Sequence, residues 1–327
     1  MRVLITGIGG FVGSHAAELL VATGVEVHGT VLQNEALRNI NHLRKSLTLH
    51  QADISDAGRV NSLVQSIQPE RILHIAGQAF VPASLQNPME TFQANLLGGL
   101  AVLEAARNQL RTTGKSPAVL IVSSGEVYGR VAESQLPITE NLPLSPNTPY
   151  AASKASLDMI AQQYANCFGV NVTIVRPFNH AGPRQSPSFV VSDFAKQFAE
   201  IEYGKREPII RVGNISVSRD FTDVRDVVRV YWLLFERTTE DIIFNVSSGT
   251  AVAIKQILVM LEQISGVQVD VVPEQERIRS YDVPLVVASN ERLKNATGWQ
   301  PKISFRQTLQ DVYAYWRDAL RNSPSNP

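Results

Sequence analysis

This 327-residue sequence predicts an α/β fold, a doubly wound parallel sheet with a smaller C-terminal domain woven into it. Three observations carry that prediction. Short apolar runs alternate with helical patterns through the first half, as parallel βαβ units require. The runs are apolar almost without interruption, which suits strands covered by helices on both faces. After about residue 178 the texture changes to loops rich in Pro, Gly, Ser and Asn, then to a looser mix of helices and strands.

Taken in order, strands are expected at RVLIT (2–6), VEVHGT (25–30), LTLHQAD (47–53), RILHIAG (71–77), AVLIVSS (118–124) and NVTIVRP (171–177). Helical periodicity fills the gaps near 13–22, 56–67, 90–110 and 150–168. Right-handed crossovers wind such units onto both faces of one sheet, so residues 1–178 read as a Rossmann domain. Residues 221–248, ending in the strand-like IIFNVSS, are expected to return to it. Residues 179–220 and 249–327 are expected to form the second domain, which would bind substrate. It includes VVSDFAKQFAEIEYG, IIRVGN, IKQILVMLEQIS, an irregular RIRSYDVP, and a closing amphipathic helix after a Gly–Trp–x–Pro turn.

Composition removes several function classes. Lys plus Arg and Asp plus Glu are 30 each, so no net field recruits nucleic acid or an anionic membrane. Any grip on a phosphate is therefore local. The single Cys167 excludes an internal disulfide, and the scattered histidines make no zinc spacing. Cys167 itself reads as a small buried hydrophobe in a helix. No signal peptide precedes MRVLITG and no apolar run is long enough for a bilayer, so a soluble cytoplasmic protein is expected.

Gly7, Gly10 and Gly13 form GxxGxxG between the first strand and the first helix. Glycines there allow a tight turn and a close approach of backbone to a pyrophosphate, which the helix N-terminus stabilises. Phe11 and Val12 belong to the same loop. Asp53, ending the third strand beside Ile54, either accepts from an adenine amino group or caps the helix begun by ISDAGRV. The segment after the second strand, HGTVLQNEALRN, places neither acid nor arginine at the spot that separates NAD from NADP. Lacking a carboxylate to repel a 2′-phosphate, it leans towards NADP. Arg38 either reaches that phosphate or lies exposed on a helix.

Strand ends deliver the remaining chemistry, because ligands of such sheets bind at the carboxyl ends of the strands. Ala76, Gly77 and Gln78 end the fourth strand, where small residues let a nicotinamide ribose lie close. Ser124 and Glu126 follow the fifth. Tyr150 and Lys154, on the helix between strands five and six, share one face at i and i+4. A neighbouring ammonium favours phenolate and is expected to lower the tyrosine pKa. Tyr150 would then protonate a developing alkoxide while Lys154 holds ribose hydroxyls, with Ser124 donating to the same oxygen. Hydride would come from the cofactor. Asn95, in QANLLGG, either braces this region or is simply a polar residue inside a helix.

The motifs TGIGGFVG, HIAGQA, SSGEVYG, YAASK, RPFN and RDFTDVRDV, in that order over essentially the whole chain, resemble the extended short-chain dehydrogenase/reductase family. Its members are nucleotide-sugar epimerases, dehydratases and reductases. HIAGQAFVPAS, RPFNHAGPRQSPSFVVSDFAKQ, IIRVGN and GWQPKI look like the reductases of GDP-linked 4-keto-6-deoxyhexoses. That likeness implies reduction at C4 of GDP-4-keto-6-deoxy-D-mannose to GDP-D-rhamnose by NADPH or NADH, with Ser124, Tyr150 and Lys154 catalytic. The alternative it implies is a 4,6-dehydratase or 4-epimerase that retains NAD(P). Glu126 occupies the position of the dehydratases' base, but Gly125 replaces their Asp or Ser, and NHAGPRQ departs from their NHESPR.

The resemblance also places Asn179, Arg219 and Arg279 around the substrate's diphosphate, with Lys196 and Arg211 contributing. Guanidinium groups suit that task because they grip phosphate bidentately. The competing expectation is surface pairing, of Arg219 with Asp220 or Asp223 and of Arg279 with Asp282. A homodimer through the helices near 90–110 and 150–168 is implied by the family alone.

Overall fold

A computed structural model describes residues 1–237, 239–277 and 283–321. The first six strands start within a residue of the apolar runs that predict them: β1 (Arg2–Thr6), β2 (Glu26–Val31), β3 (Leu47–Gln51), β4 (Arg71–His74), β5 (Ala118–Val122) and β6 (Val172–Pro177). Between them run α1 (Phe11–Ala22), α2 (Ala57–Ile67), α3 (Val81–Gln86), α4 (Pro88–Phe92), α5 (Gly98–Thr113) and α6 (Pro149–Phe168). The chain continues through β7 (Asn179–Ala181), α7 (Val190–Glu202), β8 (Ile209–Val212), β9 (Ser218–Asp223) and α8 (Val224–Glu236). It closes with β10 (Ile243–Val246), β11 (Ala251–Ala253), α9 (Ile254–Ser265), β12 (Asp270–Pro273), α10 (Glu291–Thr297) and α11 (Phe305–Arg321).

The main sheet has seven strands in the order β10-β6-β5-β4-β1-β2-β3, all parallel. Side chains alternate across it. Ile5, Leu73, Leu120, Val175 and Phe244 bury one face against Ala16 and Leu20 of α1 and Val227 and Tyr231 of α8. Leu4, Ile72, Ile121 and Ile174 bury the other against Val64 of α2, Leu103 of α5 and Leu157 of α6. A third core joins Phe194 and Phe198 of α7 to Ile257 of α9, Leu309 and Val312 of α11, and Ile210 of β8. Two small sheets, β11-β9-β7 and β12-β8, complete that region.

The one helix expected over 90–110 is interrupted. α4 begins at Pro88, a π turn spans Gln93–Leu97, and α5 continues from Gly98. A π turn inserts a residue and redirects side chains, and such turns recur at functional sites. Helix α6 starts more regularly: the Thr148 hydroxyl accepts the Ala151 N–H and Pro149 occupies the first turn. An interior ion pair anchors it. Arg176 of β6 donates from Nε and Nη2 to Asp158 of α6 at 2.8 and 3.0 Å, and from Nη1 to the Tyr128 hydroxyl at 2.8 Å.

Cys167 is exposed, contrary to the expectation of a buried hydrophobe. It lies on the outer side of α6, whose inner side supplies Leu157, Ala161 and Tyr164 to the core. Among the described residues no helix is long and apolar enough to cross a membrane, and no cluster of His, Cys, Asp and Glu could hold a metal.

Candidate active site

The carboxyl ends of β1, β2, β4, β5 and β6 open onto one cleft of about 1330 Å³, which also reaches β9 and the first turn of α7. Its floor is the glycine loop. Gly7 has φ +70°, and a Cβ there would lie 2.9 Å from the Ala76 Cα. A Cβ on Gly13 would lie 2.2 Å from the Gly7 carbonyl oxygen, so α1 packs directly on the loop's own backbone. The Thr30 hydroxyl accepts the Gly7 N–H at 3.1 Å and ties the loop to β2. Helix α1 has no side-chain cap and no acid in its first turn. Its N–H groups and positive end therefore suit a pyrophosphate. The cradle fits a dinucleotide: Gly7, Gly10, Phe11, Val12 and Gly13 all line it.

At the adenosine end the lining includes Asp53 and Ile54. Asp53 does not cap α2. Asp56 does, accepting the Arg59 N–H, while Asp53 Oδ1 accepts the Ser55 N–H and hydroxyl at 2.9 and 2.8 Å. A second acid is present that the linear reading passed over. Asn34 adopts φ +63° and turns the chain, so that Glu35 Oε2 accepts the Leu32 N–H at 2.9 Å within the cleft wall. The premise that no carboxylate stands near the end of β2 is thereby corrected. Arg38 is exposed and is not part of the lining.

At the opposite end, Ser124, Glu126, Tyr150 and Lys154 line the cleft together with Ala76, Gly77 and Gln78. The Ser124 Oγ accepts the Glu126 N–H at 3.1 Å, and Ser124 hydrogen-bonds the Tyr150 phenol. Burial pushes that phenol up to about 12; the Ser124 hydrogen bond works against the rise and the Glu126 carboxylate adds to it. The expected lowering by Lys154 is corrected here, because the lysine is turned away: its Nζ donates to the Val122 carbonyl at 2.9 Å. Burial lowers Lys154 itself to about 8. Near neutrality Tyr150 thus holds its proton and Lys154 its charge, the states needed to protonate a carbonyl oxygen.

Asn95 does not line the cleft; it braces it. Fully buried in the π turn, its Oδ1 accepts the Gln78 N–H at 2.8 Å, and its Nδ2 donates to the Gln78 carbonyl and the Ser153 hydroxyl. The strand-four loop and the Tyr150 helix are held through this one amide.

Asn179 and Arg219, expected around a substrate diphosphate, join the lining. Arg219 Nη1 donates to the carbonyls of Ser218 and Val283 at 2.9 and 2.6 Å. Asp220 is occupied with Ser248, Gly249 and Ala288, and Asp223 with Arg225 and Thr308. Lys196 and Arg211 are not brought to the cleft. Lys196 pairs with Glu200 one turn along α7 and lies over the Trp316 ring; Arg211 points outward from β8 to Glu274. Arg279 lies outside the described residues.

The loop after β6 is fastened to the cofactor helix by contacts the sequence reading missed. Arg184, at φ +73°, grips both oxygens of Glu18 at 2.7 Å and donates to His15 Nδ1 at 2.6 Å. His15 Nε2 in turn meets the Pro183 carbonyl at 3.0 Å. Burial and the Arg184 charge hold His15 well below its usual value, at about 4, so Nε2 carries the proton. His180 stacks on Phe11, ring centroids 6.0 Å apart.

With this geometry established, comparison with known proteins gives consistent results. A family model described as GDP-mannose 4,6 dehydratase matches residues 4–312. The chain is 35% identical over 322 residues to GDP-6-deoxy-D-mannose reductase of Pseudomonas aeruginosa, covering 98% of each. It is 29% identical to GDP-mannose 4,6 dehydratase of Dictyostelium discoideum, covering 98% of this chain and 96% of that one. Among solved structures it is similar to RMD from Pseudomonas aeruginosa complexed with NADPH, with a TM-score of 0.83, 34% identity and coverage of 97% and 99%. It is also similar to Thermotoga maritima UDP-glucose 4-epimerase with UDP-glucose, with a TM-score of 0.88, 28% identity and coverage of 98% and 100%.

Proposed function

Since the chain belongs to the GDP-mannose 4,6-dehydratase family of extended short-chain dehydrogenases/reductases, we propose that it reduces the C4 carbonyl of GDP-4-keto-6-deoxy-D-mannose to give GDP-D-rhamnose. The observation that carries this reading is the joining of Ser124, Tyr150 and Lys154 to the glycine cradle in one cleft. A reduced nicotinamide dinucleotide, when bound there, supplies the hydride.

This chain's own residues do the rest. Gly7, Gly10 and Gly13 let the backbone close on a pyrophosphate, and Asn95 holds the Gln78 loop against α6. Tyr150 carries the proton that neutralises the oxyanion forming at C4, and Ser124 orients that phenol. Lys154 keeps a cation beneath it and holds ribose hydroxyls. Asn179 and Arg219 face the sugar nucleotide, the guanidinium being suited to its diphosphate. Residues 1–178 and 221–248 hold the cofactor; residues 179–220 and 249–327 hold the substrate.

One observation favours a second reading. The Glu126 carboxylate lies near enough to Tyr150 to raise its pKa, as a base working beside it in a dehydratase or epimerase would. The two readings differ in cofactor balance. Incubation with GDP-4-keto-6-deoxy-D-mannose should oxidise one equivalent of NADPH or NADH per product, with GDP-D-rhamnose identified by NMR. Turnover of the sugar nucleotide without net cofactor oxidation would overturn the reductase reading. We place the enzyme in the cytoplasm as a homodimer. The exposed Met89, Leu97 and Met159, on α4, the π turn and α6, support pairing through these helices.

A further inference from the structure

We propose that Arg184 is a positioning residue that couples the two halves of the cleft, so that a nicotinamide dinucleotide and a GDP-linked sugar each strengthen the binding of the other. The inference rests on the reading that the cleft holds both molecules.

One guanidinium gathers acceptors from three stretches of chain. Nη1 donates to Glu18 Oε1 of α1 at 2.7 Å and to the Asn39 carbonyl at 3.2 Å. Nη2 donates to Glu18 Oε2 at 2.7 Å and to His15 Nδ1 at 2.6 Å. Asn39 in turn donates from Nδ2 to the Gly9 carbonyl, inside the glycine loop, at 3.0 Å. His15 closes the circuit on the Pro183 carbonyl, next to Arg184 itself. The planar fork of an arginine can hold α1, the segment after β2 and the loop after β6 in one fixed arrangement, which a lysine ammonium on its flexible stem does not. Arg184 stands at φ +73°, a conformation unfavourable for any residue with a side chain, and these contacts are what hold it there.

Both sides of this junction reach the cleft. On one side α1 begins at Phe11 directly after Gly10, and both residues line it. On the other, Asn179, His180, Gln185 and Phe189 of the loop after β6 line it as well. His180 stacks on Phe11 with the rings 9° from parallel, and its carbonyl accepts from Gln185 Nε2 at 2.9 Å. The Gln185 carbonyl accepts the Ser192 hydroxyl at 2.7 Å, which carries the constraint into α7. A dinucleotide seated on the glycine loop therefore fixes the segments that set where Asn179, His180 and Gln185 stand. A sugar nucleotide seated against those residues fixes Gly9 and the start of α1 in return. The cost of ordering the junction is incurred once, whichever ligand arrives first, and by linkage the gain is equal in both directions.

Calorimetric titration of the full chain with GDP, in the absence and presence of saturating NADPH or NADH, tests this directly. GDP should bind at least about fivefold more tightly when the dinucleotide is present, and the dinucleotide should gain by the same factor from GDP. Arg184→Lys and Glu18→Gln, each shown to be folded by circular dichroism, should bring that factor to within about twofold of one. Glu18→Gln keeps the size of its side chain and serves as the second variant should Arg184→Lys fail to fold. A merely structural role would lower the melting temperature, or both separate affinities, and leave the factor as it was; that result would overturn the proposal. Independent binding of the two ligands by the unaltered chain would overturn it too. If GDP, or both dinucleotides, fail to bind the folded unaltered chain when titrated alone, the reading of the cleft itself fails and the proposal falls with it, an outcome separate from the other two.

Discussion

The Lys154 ammonium of α6 donates to the Val122 carbonyl at the end of β5 across 2.9 Å, within a wall where Lys154 is only 5% exposed. The bond places the lysine beneath the cleft, and burial sets its pKa at about 8 against an ordinary 10.5. The folded chain therefore releases this proton before the unfolded chain does. Below pH 8 the full cost of burying the charge is present, and between about 8 and 10.5 the unfolded state binds more protons, so stability should rise with pH. A shift of this size corresponds to roughly 3 kcal/mol. Denaturation of the ligand-free protein at pH 7.5 and at pH 10 should show the wild type gaining on Lys154→Met by a fraction of that amount. A constant difference between the two proteins would show that Lys154 is not titrating in this window.

Tyr150→Phe removes the hydroxyl proposed as proton donor and leaves the ring. Turnover should fall by about 10²–10⁴-fold, the usual contribution of a positioned general acid. Dinucleotide affinity should remain close to wild type, because the cradle is built by the glycine loop and the Gln78 loop. Parallel measurement of kcat and of cofactor binding checks both halves; equal losses in each would point to a collapsed site instead.

Gly13→Ala should harm a place with no room to move. Its Cβ would meet three backbone atoms, the Gly7 oxygen at 2.2 Å, the Ile8 Cα at 2.9 Å and the Gly7 carbonyl carbon at 3.0 Å. Overpacking of this kind costs about 1–3 kcal/mol, and it should also weaken dinucleotide binding by displacing the loop. Gly58→Ala in α2 is the control, since its Cβ would meet only Asp56 Oδ1 at an ordinary 3.4 Å. That change should be neutral or stabilising, as alanine is the better helix former. Melting curves and cofactor titrations of both variants distinguish the outcomes.

Asp158→Ala should destabilise the fold by about 3–5 kcal/mol, because it strands the Arg176 guanidinium inside the protein. Both partners are essentially inaccessible, at 3% and 0% exposure. Urea denaturation measures the loss. A cost below about 1 kcal/mol would mean that the Tyr128 hydroxyl and the Glu140 carbonyl satisfy Arg176 unaided.

The legible parts of this chain are those whose signal is local. Apolar runs mark the central strands β1, β4, β5 and β6, since a strand covered on both faces needs no contrast along its length. The glycine loop was legible because Gly7 has a positive φ and Gly13 is demanded by the backbone of Gly7 and Ile8, a few residues away. The i, i+4 spacing marked Tyr150 and Lys154 for the same reason. Asn95 was readable only as one of two possibilities: its three partners, at Gln78 and Ser153, lie 17 and 58 positions away. Cys167 was misplaced because which face of α6 turns inward depends on α5 and β6, not on α6 alone.

By itself, then, the sequence determined the doubly wound sheet, the glycine cradle and the placing of Tyr150 and Lys154 on one helix face, all written in short-range spacing. The tertiary structure decided the electrostatics of the site. Burial, not the neighbouring ammonium, governs Tyr150, since Lys154 turns to the Val122 carbonyl. Only the reversal at Asn34 carries Glu35 back to the end of β2 in the cleft wall. Only folding brings Arg184 to Glu18, 166 positions earlier, and locks the loop after β6 onto α1. The physical reason is the same in each case: desolvation and charge pairing depend on distances through space, and those are set when the chain closes on itself.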